Sequence, residues 1–287
     1  LGIGTARDKR RSQWLQHGLR LAAIRGTHDV WIQEPPSASF ADWQRIRGKR
    51  ILLVHHVDSR FLRSPRLSGY LDKRMYKNLC RFDVVVTVAE YWRNHFIAKG
   101  HSDVRVIHNA FHMDDFGFTN DEVCRFLERH GLQGKPIVYL GNCQYAKGVV
   151  HAYEALKDLD VQLVTSGERR VQTGALNLEL PYRDYLLLLK ASSAVVTMSL
   201  FDEGWNRTAH EAMLCGTPVV GSGRGGMREL LEGGGQIVCE DFTALRACVE
   251  QTLGNSSLGF KGQRYASEFA MQRFRHDWTS LIESLVQ

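Results

Sequence analysis

The 287-residue chain has no run of about 18 apolar residues, so no segment reads as a membrane-spanning helix, and no signal-peptide pattern is visible. Its six cysteines (80, 124, 143, 215, 239 and 248) form no Cys-x-x-Cys pair and are scattered through apolar contexts. That usage predicts reduced, buried thiols in a cytoplasmic protein. Internal repeats and low-complexity tracts are missing, which sets aside solenoids and disordered linkers. The basic residues are not interleaved with a recognisable nucleic-acid-binding motif, so nucleic acid is not an expected partner. What remains is a chain with 44% apolar residues, enough for real cores, and a length that points to about two domains of ~150 residues. Charge is uneven: residues 1–117 carry a net +9 and the rest −3, within a total of +6.

Strand and helix patterns alternate. Asp29-Val-Trp-Ile-Gln33, Arg50-Ile-Leu-Leu-Val54 and Asp83-Val-Val-Val-Thr-Val88 are strand candidates, with helical stretches near 38–47 and 68–80. A polar segment over 117–135 contains a short amphipathic helix at 122–130 and is expected to join two domains, 1–117 and 118–287. A second series follows, with strands at 137–141, 161–166, 176–179, 194–199, 218–221 and 236–239 and helices at 148–157, 182–191, 243–253 and 262–285. Such βαβα order predicts parallel sheets with helices on both faces.

One stretch is richer in chemistry than the rest, Phe201-Asp-Glu-Gly-Trp-Asn-Arg-Thr-Ala-His-Glu-Ala-Met-Leu-Cys-Gly-Thr-Pro-Val-Val220. The apolar, β-branched run before it reads as a buried parallel strand. Asn206 or Thr208 can cap the following helix, Gly216 stops it and Pro218 opens the next strand. Glu203 is thus placed in the loop at the carboxyl end of a strand, where open α/β sheets bind ligands, and Glu211 within the first two helical turns. An anion between them would meet unbonded N–H groups and the positive end of the helix dipole. A diphosphate fits that position, with the carboxylates accepting hydrogen bonds from hydroxyls on either side.

The stretch resembles the donor-site signature of retaining glycosyltransferases of family 4, which have the GT-B fold: two glutamates at this spacing, the second opening Glu-Ala-Met-x-Cys-Gly-Thr-Pro-Val-Val. Other blocks are similar to that family as well. Ile137-Val-Tyr-Leu-Gly141 with Lys147-Gly148 looks like the opening of its C-terminal domain, and Val106-Ile-His-Asn-Ala-Phe-His-Met-Asp-Asp-Phe116 like the close of its N-terminal one. Gly225-Gly226 with Glu229 fits a Gly-Gly-x-x-Glu turn, and Arg264-Tyr-Ala-Ser-Glu-Phe269 the start of its final helix. The resemblance covers roughly residues 28–285 and is strongest after Ile137. It implies an α/β GT-B architecture, two Rossmann-like parallel-sheet domains facing across a cleft. It also implies transfer of a sugar from a nucleotide-diphosphate donor to a lipid, glycan or small-molecule acceptor with retention of configuration.

By the same resemblance Glu203 would hold donor-sugar hydroxyls, Glu211 the ribose, and Lys147 the diphosphate. Gly141, Asn142, Gly204, Trp205, Asn206, Arg207 and Thr208 would line the donor, the amides near 205–208 meeting phosphate oxygens. Catalysis would be electrostatic, Lys147 and the helix N-terminus stabilising the departing diphosphate without a metal or other cofactor. The basic half, on the acceptor side in such enzymes, would suit an anionic membrane or a lipid-linked acceptor, and so a peripheral position at the inner membrane face.

Departures from the family pattern matter. Asn142 stands where an arginine usually shares the diphosphate, so that the clamp is weaker by one cation or Arg207 or an N-terminal residue replaces it. Trp31-Ile-Gln-Glu-Pro35 resembles a His-x-His-Glu-Pro turn, but Gln33 occupies the second histidine's place and cannot carry a proton. In Val54-His-His-Val-Asp58, His55 becomes the expected polar contact across the cleft; His55 with His56, or His108 with His112, could alternatively suggest metal, although neighbours at a strand end point to opposite faces. Only 28 residues precede Asp29, where the family has a strand, a glycine-rich loop and more, implying a truncated form or a reduced acceptor domain. These departures support an alternative, a catalytically inactive accessory subunit that binds nucleotide sugar. Gly221-Ser-Gly-Arg-Gly-Gly226 also satisfies a dinucleotide fingerprint, but Gly233-Gly-Gly235 ends the following helix too soon for a standard crossover. Its glycines are expected to let backbone approach the donor sugar.

Overall fold

The computed structural model describes residues 26–40, 46–57, 65–255 and 257–287. Expectations about the first 25 residues, residues 41–45 and Asp58 lie outside them. The described residues form two compact units. One comprises those up to Thr87 with 93–106 and 279–287; the other comprises 88–92 and 107–278.

The first unit holds a four-stranded sheet of β1 (Gly26–Gln33), β2 (Ile46–Val54), β3 (Val84–Thr87) and β4 (Val104–Val106), in that order and parallel throughout. Between the strands run α1 (Pro35–Phe40), α2 (Pro65–Lys77) and α3 (Glu90–Ala98), the last with its residues 90–92 counted in the other unit. All four residues of β3 are buried, as a continuous β-branched run covered on both faces requires. Leu52, Val54 and Val85 meet Met75, Leu79, Phe82, Phe96 and Val104 in one core. Three expectations change here. Residues 46 and 47 belong to a strand, not to the end of a helix, and neither α3 nor β4 was expected. In α3 the apolar signal is carried by only two buried aromatics one turn apart, Trp92 and Phe96, and β4 is three residues long.

The second unit begins with α4 (Asn120–His130), closed by a capping box in which Glu122 N donates to Thr119 Oγ1 and Thr119 N to Glu122 Oε2. Then come β5 (Ile137–Asn142), α5 (Val149–Leu156), β6 (Gln162–Ser166), β7 (Leu176–Leu178), α6 (Tyr182–Ala191), β8 (Ala194–Thr197) and α7 (Arg207–Leu214). β9 (Val219–Gly221), α8 (Met227–Gly233), β10 (Ile237–Val238), α9 (Leu245–Leu253), α10 (Ser257–Ala266) and α11 (Met271–Val286) follow, the last running into the first unit. The six strands are parallel in the order β10-β9-β8-β5-β6-β7. The chain winds from β5 to β7 in one direction, then returns to place β8 beside β5 and winds the other way. Loops leaving the carboxyl ends of β5 and β8 therefore diverge and leave a crevice, the switch point where open α/β sheets bind ligands. Beneath it Val138, Leu140, Val196 and Val220 pack on Val149, Ala152, Leu156, Leu245 and Val249 of α5 and α9.

The expected long helix over 262–285 is two helices. A turn at 267–270 buries Phe269 and leaves the Ala266 carbonyl to accept a hydrogen bond from His210, so 264–269 closes one helix and does not open the next. The thiols are free, but only Cys143, Cys215 and Cys239 are buried; Cys80 and Cys124 are exposed, contrary to expectation. The glycines after β9 serve close packing within the protein. A Cβ on Gly225 would lie 2.4 Å from the Glu203 carbonyl oxygen, and one on Gly226 1.8 Å from that of Gly204.

Candidate functional site

Two loops frame the crevice. The one after β5 carries Gly141, Asn142 and Lys147; the one after β8 carries Ser199 and Glu203 and enters α7 at Asn206. Leu140, Gly141, Asn142, Lys147, Val196, Thr197, Ser199, Asn206 and Thr208 line a hollow of about 260 Å³, counting space open to solvent.

Glu203 is buried, and its Oε1 accepts from Lys147 Nζ at 2.6 Å, from Ser199 Oγ, and from Asn206 Nδ2 at 3.3 Å. Lys147 Nζ also sits 4.8 Å from the centroid of the Phe201 ring. The loop is strapped by backbone: the Glu203 carbonyl accepts from Trp92 Nε1 at 2.8 Å and from Gly226 N at 3.0 Å. Asn206 is the one non-glycine residue with positive φ among the described residues, at 53°, a conformation asparagine tolerates better than most side chains. Its Oδ1 accepts from Ala209 N at 2.9 Å, capping α7. His210 N donates to Asn206 O, so Arg207 and Thr208 keep the N–H groups for which helix geometry supplies no acceptor.

Glu211 lies one helical turn further, in a different environment. Oε2 accepts from the Tyr185 hydroxyl at 3.0 Å, and Oε1 from the Tyr182 hydroxyl and an Arg207 guanidinium nitrogen, each at 3.3 Å. Burial raises the Glu211 pKa above its ordinary value, and Arg207 and the two phenols oppose that shift. Both phenols are pushed up, by burial first and the Glu211 charge second, so they remain donors. Arg207 is 65% exposed and lies 5.2 Å from the Phe111 ring centroid.

Behind the loop stands an aromatic wall. Trp205 is buried, and its indole N–H donates to His210 Nδ1 at 2.9 Å. Because an indole only donates, His210 must carry its proton on Nε2, which faces the Ala266 carbonyl at 3.0 Å. Burial lowers the His210 pKa to about 4. His108 packs on Trp205 and Phe269, and its Nε2 pairs with Glu229 Oε1 at 2.8 Å.

The structure therefore brings Gly141, Asn142, Lys147, Asn206 and Thr208 around one hollow, with Glu203 bonded to its Lys147, Ser199 and Asn206 and with Arg207 and Glu211 on the first turns of α7. Gly204 and the Trp205 indole are buried in the supporting loop. Gln33 and His55 belong to the first unit, at the carboxyl edge of its sheet: Gln33 ends β1, and exposed His55 follows β2. Gln33 Oε1 is buried and has no hydrogen-bond partner among the described residues. No group of three histidine, cysteine or carboxylate side chains is disposed to hold a metal among the described residues. Ser199, Tyr182, Tyr185 and Ser166 were not singled out from sequence. Tyr182 and Tyr185 are three apart at the start of a helix, a spacing that puts both on one face.

Residues 125–258 match the family model described as glycosyl transferases group 1. The matched stretch is similar to a glycosyl transferases group 1 domain. It spans β5 to α9 and every lining residue of the hollow. No curated protein matches the chain. Among solved structures, sucrose-phosphate synthase from Thermosynechococcus elongatus superposes with a TM-score of 0.79 at 17% identity, over 99% of this chain and 82% of that one. Anabaena HepE in complex with UDP-glucose gives 0.73 at 18%, over 96% and 82%. A UDP-forming α,α-trehalose-phosphate synthase from Burkholderia xenovorans gives 0.71 at 16%, over 96% and 78%. The α/β fold with two parallel sheets is of the GT-B type shared by these proteins.

Proposed function

We propose that the chain transfers a sugar from a nucleoside-diphosphate sugar to an acceptor with retention of anomeric configuration, in the manner of family 4. One observation carries this reading: Lys147, Glu203 and the start of α7 converge on a hollow at the switch point of the group 1 domain. The UDP-glucose complex of the similar Anabaena protein supports a nucleotide sugar as donor.

In this reading the diphosphate lies between Lys147 and the N–H groups of Arg207 and Thr208. Glu203 accepts from hydroxyls of the donor sugar, and Glu211 from the ribose. Gly141, Asn142 and Asn206 complete the wall, and Gly204 and Trp205 hold the loop. As the glycosidic C–O bond breaks, its electron pair passes to the diphosphate oxygen, where positive charge is already fixed. The acceptor hydroxyl attacks from the same face and gives its proton to the leaving phosphate. Gln33 and His55 keep in this scheme the roles that the resemblance implies, His55 as a polar contact. The net +9 of residues 1–117 favours an acceptor carried on an anionic membrane surface on the cytoplasmic side. No described helix is long and apolar enough to cross a membrane.

The test is incubation with UDP-, GDP- and ADP-sugars, following nucleoside-diphosphate release together with thermal shift. Release and shift with one donor is the expected result. Shift without release, with candidate acceptors present, would instead favour a donor-binding accessory subunit, the reading that Gln33 and Asn142 motivate. No shift with any donor would overturn the site assignment.

A further inference from the structure

Strand geometry puts Tyr139 and Asn142, three residues apart, on opposite faces of a sheet. Here they are on the same face. In the pairing of β5 with β6, Tyr139 stands opposite Val164 and Asn142 opposite Ser166, so three steps on one strand match two on its neighbour. The extra residue is accommodated at Gly141, whose φ of 89° is open to glycine and strained for other residues. The bulge lets both side chains reach one hydroxyl. The Tyr139 and Ser166 oxygens are 2.7 Å apart, and Ser166 Oγ donates to Asn142 Oδ1 at 3.3 Å. Ser166 has a single proton, and it points at Asn142. Tyr139 must therefore donate to Ser166, and burial, which raises the phenol's pKa, keeps that proton in place. Tyr139 and Ser166 are both buried, whereas Asn142 is exposed and lines the hollow.

We propose that Tyr139 and Ser166 are positioning residues that hold the Asn142 amide by its oxygen, presenting its NH2 group to the diphosphate of the bound nucleotide. This deepens the donor reading above and rests on it. An amide free to rotate would offer its oxygen, a repulsive neighbour for phosphate, about as readily as its nitrogen. Anchored by the oxygen, it offers only donors. The clamp then gains one oriented neutral donor beside Lys147 and the N–H groups of Arg207 and Thr208.

The test compares UDP, GDP and ADP with their parent nucleosides by titration calorimetry, on the full chain and on three variants. The quantity read is the ratio of nucleoside to diphosphate dissociation constants. Ser166→Ala is expected to lower that ratio about threefold to tenfold, the worth of one ordinary hydrogen bond. Tyr139→Phe should lower it by less. Asn142→Asp, which places a carboxylate where the amide was, should lower it by about a hundredfold. Nucleoside affinity should stay the same in all three, since a general disturbance of the fold would weaken nucleoside and diphosphate alike. Equal losses for both ligands, or an unchanged ratio in Ser166→Ala and Asn142→Asp, would overturn the positioning role while leaving the donor site standing. Failure of all three diphosphates to bind the unmodified chain would overturn the donor reading and this inference with it.

Discussion

Glu203 and Glu211 are eight residues apart and almost equally buried, at 6% and 4% exposure, yet they are kept in different ways. Glu203 sits in a loop, and an ammonium, a hydroxyl and an amide all converge on its Oε1. Glu211 sits in a helix; one oxygen faces a partly buried phenol, the other a half-exposed phenol and an exposed guanidinium. The first arrangement couples a carboxylate directly to the cation expected to meet phosphate, so whatever moves one moves the other. The second sets a carboxylate among donors that hydroxyls of a bound ligand could replace without leaving a buried charge alone. Two residues of one type in one motif thus become a charge-coupled element and an exchangeable hydrogen-bond acceptor.

The sharpest way to break the comparison is to remove each cation. Lys147→Ala is expected to lower donor turnover by ~10²-fold or more, the scale of a lost electrostatic contact to a developing anion. Arg207→Ala, whose side chain is mostly in solvent, should cost less than about tenfold. Equal losses in steady-state nucleoside-diphosphate release would show that the two carboxylates are not differently coupled. A second test acts on the Glu203 loop alone. Gly226→Ala inserts a methyl group 1.8 Å from the Gly204 carbonyl and should lower the stability of the fold by roughly 1–3 kcal/mol in urea unfolding. An unchanged unfolding midpoint would mean that the strap does not hold the loop.

Proton linkage gives smaller effects with a defined sign. Glu211 has a folded pKa above its ordinary 4.5, so the folded chain keeps a proton that the unfolded chain has released. Between 4.5 and that raised value the contribution of Glu211 to stability declines as pH rises. Glu211→Gln lacks this decline, and its stability relative to the parent should increase from pH 4.5 toward 7. A constant difference across urea titrations would refute the burial account. His210 runs the other way: its folded pKa of about 4 lies below the ordinary 6.5, so its contribution is present above 6.5 and lost as pH falls toward 4. In a nitrogen-15 NMR titration its ring should remain the neutral Nε2–H form down to about pH 4. Titration near 6.5 would mean that the Trp205 and Ala266 contacts do not hold it.

Much of the second unit was legible because one-dimensional patterns and three-dimensional requirements coincide there. β8 is an apolar β-branched run, α7 starts at a cap residue and stops at Gly216 with φ of 74°, and β9 follows Pro218. Lys147 and Glu203 were each placed on the site, but their mutual contact was not visible. It depends on β5 and β8 being neighbours, and the return of the chain after β7 leaves no local signature. Tyr182 and Tyr185 escaped for a related reason: their partner Glu211 is on another helix, and an amphipathic helix start with two tyrosines has the same pattern whether it faces core or carboxylate. The first unit was less legible because its signals are short. For the glycines after β9, sequence shows that backbone comes close there but not to what; the structure shows the Glu203 loop as one such neighbour.

The straps on Glu203 join parts of the chain far apart in sequence, and this bears on the order in which the molecule can be assembled. Its carbonyl waits for Trp92, already synthesised, and for Gly226, still to come; Trp205 waits for Phe269, and His210 for the Ala266 carbonyl. Long-range contacts of this kind form late, because chain entropy is lost before they repay it. A chain growing from its N-terminus would hold both glutamates some sixty residues before the elements that fix them exist, about the difference between 203 and 266. The hollow is thus among the last features to acquire its shape, and nucleotide binding would report that the whole second unit has closed.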